Sequence, residues 1–433
     1  MMVQEDEADV GFREDDDQHK PGSPRPVAAS STSTLQPPAA SGGSGRPRCR
    51  LLLFVAAGVL VVITAAGFFL NGIRKGADER EDLPLMSVGG EGGKLLPRCY
   101  SSPEADPSQG KWRKCDGGVE DSPANTGNFT GPWKTTRTEI RCSQAWAEEN
   151  REGTMPYWSW ESSECRLESV DAAKFCDVVE GRKGILFVGD SLTGQMIDTL
   201  AAILRATVVD HVLLTSDSFS ACDGTFEFSW YRNDFLDTRT DGFDTVHCED
   251  PDISMSHCKV FADDSTLSQF DTLIVNAGAH IRSGGLPAYG EMMKNASERL
   301  TESMKRLHGE NSILVVRNTV PGHSSSYERM FDGPVDLETA LALVGEGPPV
   351  YRWTGISDKN KLLEEAFTAA DGWTLLDAYG PTVLRADSHA GDDGLHYCVP
   401  GPIDHWVKLL YNILLEKASS PGKAGDDPEP SEP

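Results

Sequence analysis

No two cysteines in this chain form a CxxC pair, although it has ten cysteines in 433 residues. That argues against zinc ribbons and thioredoxin-type redox motifs. Positive charge is also scarce: 40 Lys and Arg stand against 67 Asp and Glu, a net charge of −27. A general nucleic-acid binder needs cation density to release phosphate counterions, so no nucleic-acid partner is expected. His247-Cys248 and His257-Cys258 form two His-Cys pairs, but not at a standard zinc spacing. A disulfide is the better expectation there, and no metal site is assigned.

What is present is unevenly distributed. Residues 1–50 hold an acidic block (Glu5, Asp6, Glu7, Asp9, Glu14, Asp15, Asp16, Asp17) and then a Ser/Thr/Pro/Ala/Gly stretch. Neither buries enough apolar surface to offset chain entropy, so 1–50 reads as a disordered tail. Leu51–Leu70 is a run of 20 residues without a charge. At a rise of ~1.5 Å per residue it spans a ~30 Å hydrocarbon core. A cleaved signal peptide would be shorter and would begin nearer the N-terminus. The reading is a transmembrane signal anchor over 51–73, a stem over 74–98, a globular domain over 99–416 and a disordered tail over 417–433.

Arg46, Arg48 and Arg50 precede the run, while Arg74, Lys75 and Arg80 follow it, so the flanking bias is slight. The cysteines and glycosylation sequons break the tie. All cysteines but Cys49, and both sequons (Asn128-Phe-Thr and Asn295-Ala-Ser), lie beyond the run. The expected topology is a cytosolic N-terminus and a lumenal domain. Its nine cysteines are an odd number, so at least one is free or pairs between chains.

Within 99–416, short apolar runs alternate with helical periodicity. Gly184–Val188 is a strand ending in Gly189-Asp190-Ser191, followed by a helix through Leu192, Met196, Leu200 and Leu204. Thr207–Leu214, Asp271–Asn276, Ser312–Arg317 and Trp373–Leu376 read as further strands. Helices are expected over Tyr289–Leu307, Asn360–Ala370 and Pro402–Glu416. Alternation of this kind implies an α/β fold with a parallel sheet of about five strands covered on both faces, and ligands at the strands' carboxyl ends.

Three places could carry chemistry. Ser191 sits at a strand-to-helix turn, where a helix N-terminus offers amide N–H groups to a developing oxyanion. Taken alone, Asp190 or Ser191 in such a turn is more commonly a simple helix N-cap. Asp393 and His396 stand three apart before the last helix, the pair that a serine hydroxyl needs as orienter and base; taken alone, His396 is equally read as a structural histidine. Asn276, in Asn276-Ala-Gly, can donate to an oxyanion from the end of a strand or serve as an Asx-turn residue.

Together, in order, these three resemble the SGNH/GDSL hydrolase superfamily. Tyr157-Trp158-Ser159-Trp160, Cys165-Arg166-Leu167 and ILFVGDSL narrow the resemblance to the plant trichome birefringence-like polysaccharide O-acetyltransferases of the PC-esterase type. Gly110-Lys111-Trp112, Cys142, Arg317-Asn318-Thr319 with Pro321 and His323, Leu384 to His389, and Asp393 through Gly401 with Asp404 and Trp406 fit the same family. The similarity covers about 99–416. It implies a three-layer SGNH, flavodoxin-like fold, with Ser191 as nucleophile, His396 as base and Asp393 as orienter. The Ser191 amide and Asn276 would form the oxyanion hole.

It further implies a Golgi type II membrane glycoprotein with disulfides. Such a protein binds no cofactor. It takes acetyl from a donor co-substrate, acetyl-CoA or an acetyl group supplied across the membrane by a transporter partner, and passes it to a polysaccharide or other glycan. Two departures stand out: Gly194 replaces an Arg usual after GDSL, and Gly394 replaces a Cys usual between the catalytic Asp and His, which removes one disulfide. An acetyl-esterase of the same fold and a non-catalytic glycan-binding protein are the alternative readings.

Overall fold

The structure is a computed structural model that describes residues 96–102, 104–124, 155–212, 215–238, 258–281, 285–323, 332–344, 353–389 and 394–419. All lie within the compact unit Ser87–Pro433. Among the described residues no helix is long and apolar enough to cross a membrane. The tail 1–50, the 51–73 run, most of the 74–98 stem, and Asn128, Cys142, Asp393, His247, Cys248 and His257 lie outside them.

In chain order the principal elements are β1 (Gly110–Cys115), β2 (Tyr157–Ser162), α1 (Ala172–Val179), β3 (Ile185–Gly189), α2 (Ser191–Leu204), β4 (Thr207–Val212), β5 (Ser216–Ala221) and β6 (Phe226–Arg232). Then come α3 (Asp264–Leu267), β7 (Thr272–Val275), α4 (Gly285–His308), β8 (Ile313–Arg317), α5 (Leu337–Leu343), α6 (Ile356–Ala366), β9 (Trp373–Leu376), α7 (Tyr379–Val383) and α8 (Pro402–Ser419).

Seven strands form one sheet in the order β4-β5-β6-β3-β7-β8-β9. β6, β3, β7, β8 and β9 are mutually parallel. β4 and β5 are an antiparallel extension at the β6 edge. The expected count of five parallel strands is therefore met, but not by the expected five. Of Thr207–Leu214, read as one of them, Thr207–Val212 is the exposed antiparallel edge strand β4. The fifth parallel strand is β6, Phe-Glu-Phe-Ser-Trp-Tyr-Arg, which the sequence reading passed over. Its Phe226, Phe228 and Trp230 are buried while Glu227 between them is exposed. That is an alternating pattern, not the continuous apolar run of a strand buried on both faces.

The central strands are buried on both faces, which makes the described domain three-layered. Ile185 and Phe187 of β3 point into a core with Met196 and Leu200 of α2 and Trp406 and Leu410 of α8. Leu186 and Val188 point the other way, toward Met293 and Leu300 of α4 and Leu363 of α6. The chain leaves β3 for β6 on one side and returns to β7 on the other. The carboxyl end of β3 is thus the topological switch point, where α/β sheets open a crevice.

β1 and β2 form a separate antiparallel pair, with Trp112 opposite Trp160. The Trp112 indole N–H donates to the Pro381 carbonyl at 2.8 Å. Disulfides join Cys99 to Cys165 and Cys176 to Cys222. Cys258 and Cys398 are also disulfide-bonded, and Cys115 is free. A sulfur already in a disulfide is no thiolate ligand, which removes Cys258 from the His-Cys metal alternative. Among the described residues no cluster suited to a metal ion occurs.

Candidate active site

The turn after β3 needs a residue without a side chain. Gly189 has φ +157°, and a Cβ there would stand 2.9 Å from the Asn276 carbonyl oxygen. The backbones of β3 and β7 therefore close together just before the helix begins. Asp190 caps α2: its Oδ1 accepts from the Leu192 amide at 3.0 Å and the Thr193 amide at 3.3 Å. The Gly194 amide goes to the Asp190 carbonyl oxygen at 3.1 Å. Ser191 is left as the first helical residue, half-buried, with its own amide at the positive end of the helix dipole.

The geometry brings two of the three expected catalytic residues together. The Ser191 hydroxyl donates to His396 Nε2 at 2.7 Å across 205 residues of sequence. That is the nucleophile–base contact of acyl-transfer sites. Asp393 lies outside the described residues. Asp392, next to it, lies outside them too, and Asp387, a third carboxylate near His396 in sequence, has both oxygens bound by Arg385, at 2.8 and 2.9 Å.

Asn276 has a different position from the one expected of an oxyanion donor. It is fully buried. Its two amide hydrogens go to the Arg317 carbonyl oxygen at 2.9 Å and to Thr319 Oγ1 at 2.8 Å. Thr319 in turn donates to the Ala277 carbonyl at 2.9 Å. A flip of the amide would set its oxygen against the Arg317 carbonyl, two acceptors facing each other. In this arrangement Asn276 fastens β7 to the segment after β8 and has no N–H left for a ligand. Of the two oxyanion donors expected, that leaves the Ser191 amide as the candidate.

Several site residues went unassigned in the sequence. Gln195, one helical turn beyond Ser191 and buried, donates to the Tyr397 carbonyl at 2.9 Å and accepts from the Tyr397 amide at 3.2 Å. This clamp sets the His396 loop against α2. The available signal was its i+4 spacing from Ser191, which puts both on one helix face.

Arg317 is completely buried beneath the turn. Its Nη2 donates to Thr193 Oγ1 at 3.0 Å and lies 3.9 Å from Asp190 Oδ1, while the guanidinium sits over the Trp406 ring at 4.7 Å. Burial pulls its pKa down to about 10, against the pull of Asp190. Gly194, in place of the expected family Arg, is buried within α2.

No family model matches the chain. Curated proteins do. Xyloglucan O-acetyltransferase 1 of Arabidopsis thaliana is 23% identical over 310 residues, which cover 60% of this chain and 70% of that protein. Xylan O-acetyltransferase 3 of Oryza sativa subsp. japonica is 22% identical over 316 residues, covering 61% and 68%. Protein trichome birefringence-like 41 of Arabidopsis thaliana is 25% identical over 354 residues, covering 74% and 94%. Among solved structures, a lipase from a goat-rumen metagenome is 11% identical and covers 53% of this chain and 96% of its own. Its TM-score of 0.26 is too low for any argument about this fold.

Proposed function

We propose, from the premise that the chain is a relative of the trichome birefringence-like proteins, that it is an SGNH-type O-acetyltransferase that acts on a glycan. The observation that carries the reading is the 2.7 Å contact between Ser191 Oγ and His396 Nε2 at the helix N-terminus. Ser191 Oγ attacks the carbonyl carbon of an acetyl donor as its proton passes to His396 Nε2. The Ser191 amide holds the oxyanion. Collapse expels the donor's leaving group, which takes the proton from His396 and leaves acetyl-Ser191. A glycan hydroxyl then attacks as His396 takes its proton, and Ser191 Oγ leaves with that proton restored. Asp393 orients His396 in this scheme.

Xyloglucan and xylan, the glycans in the relatives' names, are the acceptors to try first. The location follows the same reading: a type II protein of the Golgi membrane, anchored by Leu51–Leu70, with residues 99–416 in the lumen. Two disulfides in the described domain support an oxidising compartment. The esterase reading is kept on one observation: Ser191 and His396 are both partly exposed, so water can reach an acetyl-enzyme at the same base.

The test is incubation of the full-length protein with an isotopically labelled acetyl donor and xylan or xyloglucan oligosaccharides, following acetylated glycan, free acetate and acetylated Ser191 by mass spectrometry. Acetyl-Ser191 and labelled glycan are expected, and both vanish in Ser191→Ala. Acetate without labelled glycan identifies the esterase. Undiminished turnover by Ser191→Ala sinks both.

A further inference from the structure

Two histidines stand behind His396. His323 is fully buried and His389 is 7% exposed. His323 Nε2 lies 2.9 Å from the Val383 carbonyl oxygen, and His389 Nδ1 lies 3.1 Å from the carbonyl oxygen of His396 itself. A carbonyl oxygen only accepts, so each of these two nitrogens carries a hydrogen. A neutral imidazole has one N–H, so the other nitrogens, His323 Nδ1 and His389 Nε2, would both be bare lone pairs. Yet they face each other at 2.8 Å, a hydrogen-bonding distance. The contact requires a proton between them.

We propose that His323 and His389 share one proton as an imidazole–imidazolium pair, and that this pair is a positioning device that holds His396 against Ser191. The role rests on the acyl-transfer reading; the shared proton does not. His389 reaches the base through the His396 carbonyl. The segment around it is fastened at several points: the His323 amide donates to the Gly394 carbonyl at 2.8 Å, the Cys398 amide to the Ser388 carbonyl at 2.8 Å, and the Tyr397 hydroxyl to the Pro321 carbonyl at 2.8 Å.

The groups around the pair bear on its charge. The Tyr397 ring lies against His389, centroids 4.3 Å apart, and burial pushes its hydroxyl far up, so it stays neutral. Burial pulls His323 down to about 4, while its hydrogen bond to Val383 and the Asp387 carboxylate pull it upward. Arg385 neutralises part of that carboxylate. His396 faces the pair through its backbone. A second imidazole that accepts the proton favours the charged form further, since hydrogen bonding to an ionised group stabilises it. When the pair deprotonates, two lone pairs oppose each other, the contact opens, and the His396 carbonyl loses a fixed donor. The expected consequence is an alkaline fall in reactivity above the titration of the pair.

The test uses the full-length protein with 15N-labelled imidazoles. Its imidazole spectra should show His323 and His389 both protonated on their outer nitrogens, with one far-downfield proton between them. Ser191 reactivity is then read as its labelling rate by a fluorophosphonate across pH, which needs neither donor nor glycan. His323→Gln keeps a donor to Val383 but cannot share a proton, and should slow labelling by about ten- to a hundredfold, the scale of a misplaced catalytic group. His323→Asn offers His389 a permanent neutral N–H donor, so it should label at near the native rate without the alkaline fall. Wild-type spectra lacking the shared proton between about pH 5 and 8 overturn the proposal, even if Ser191 labels normally. An alkaline fall that persists in His323→Asn overturns the positioning role. The wild-type spectrum decides the matter if a variant does not fold. If glycan acetylation is absent while the shared proton and Ser191 labelling persist, the acyl-transfer reading fails and this one stands.

Discussion

A serine hydroxyl reacts only when its proton has somewhere to go, and at this site the distance from Ser191 to His396 is set by residues that touch no substrate. Gln195 is the nearest. It bonds both the backbone amide and the backbone carbonyl of Tyr397, one residue beyond His396. Gln195→Leu removes both partners and leaves that buried amide and carbonyl unpaired. The loss of stability should be about 1–3 kcal/mol. Ser191 labelling should slow as well, because the His396 loop is no longer tied to α2. Urea unfolding checks the first effect and fluorophosphonate kinetics the second. Native values for both would show that other contacts hold the loop. Ser191 and His396 were legible as candidates from a turn signature and a DxxH pattern. Gln195 was not, because a glutamine in a helix carries no mark of its partner 202 residues away.

At the scale of elements, the turn between β3 and α2 depends on Gly189. Gly189→Ala places a Cβ against the Asn276 carbonyl, in a φ region that favours glycine. A cost of order 1–3 kcal/mol is expected, with slower Ser191 labelling, because relief of the clash must shift β7 or the turn that carries Ser191. An unchanged denaturation midpoint would show that the sheet opens there at no cost.

α8 carries a second element-scale feature. Asp404, in its first turn, is buried with Ser122 Oγ donating to it and the Gly401 amide 3.3 Å away. Burial raises its pKa from 3.8 to about 6, with the hydrogen bonds from Ser122, Tyr157 and Gly401 opposing. The folded pKa lies above the unfolded one, so the native state binds the proton more tightly. This contribution is present below about pH 4 and is lost as pH rises to about 6. Two units correspond to about 3 kcal/mol. Asp404→Asn should therefore flatten the stability-versus-pH curve over that window. A variant curve parallel to the wild type would show that Asp404 is ionised at no cost in the native state.

For the whole molecule, orientation across a membrane decides whether the sequons are ever used. Asn295 is exposed on α4 and open to a glycan. If the domain is lumenal, membrane-expressed protein should gain mobility on glycosidase digestion and resist extraction at alkaline pH. Unchanged mobility in wild type and Asn295→Gln alike would argue for unused sites or the opposite orientation. Deletion of Leu51–Leu70 should release the protein from membranes.

Periodicity and punctuation in the sequence determined the α/β class, four of the five parallel strands, the helices flanking them, and Ser191 at a strand-to-helix turn. These are local properties: an apolar run, a glycine, a cap and a 3.6-residue repeat are each written within a few neighbouring residues. The nine cysteines beyond Leu51–Leu70 are an odd number, so at least one had to be free or pair between chains, and among the described residues only the fold identified Cys115 as free. Tertiary structure alone decided the rest. It made Thr207–Val212 an antiparallel edge and β6 a member of the parallel sheet, because strand order depends on which faces find a covering helix. It gave the hydrogens of Asn276 to Arg317 and Thr319 instead of a ligand. It set two histidines, 66 residues apart, nose to nose behind His396. Such contacts form between segments distant in sequence, where no local pattern records which side chain meets which.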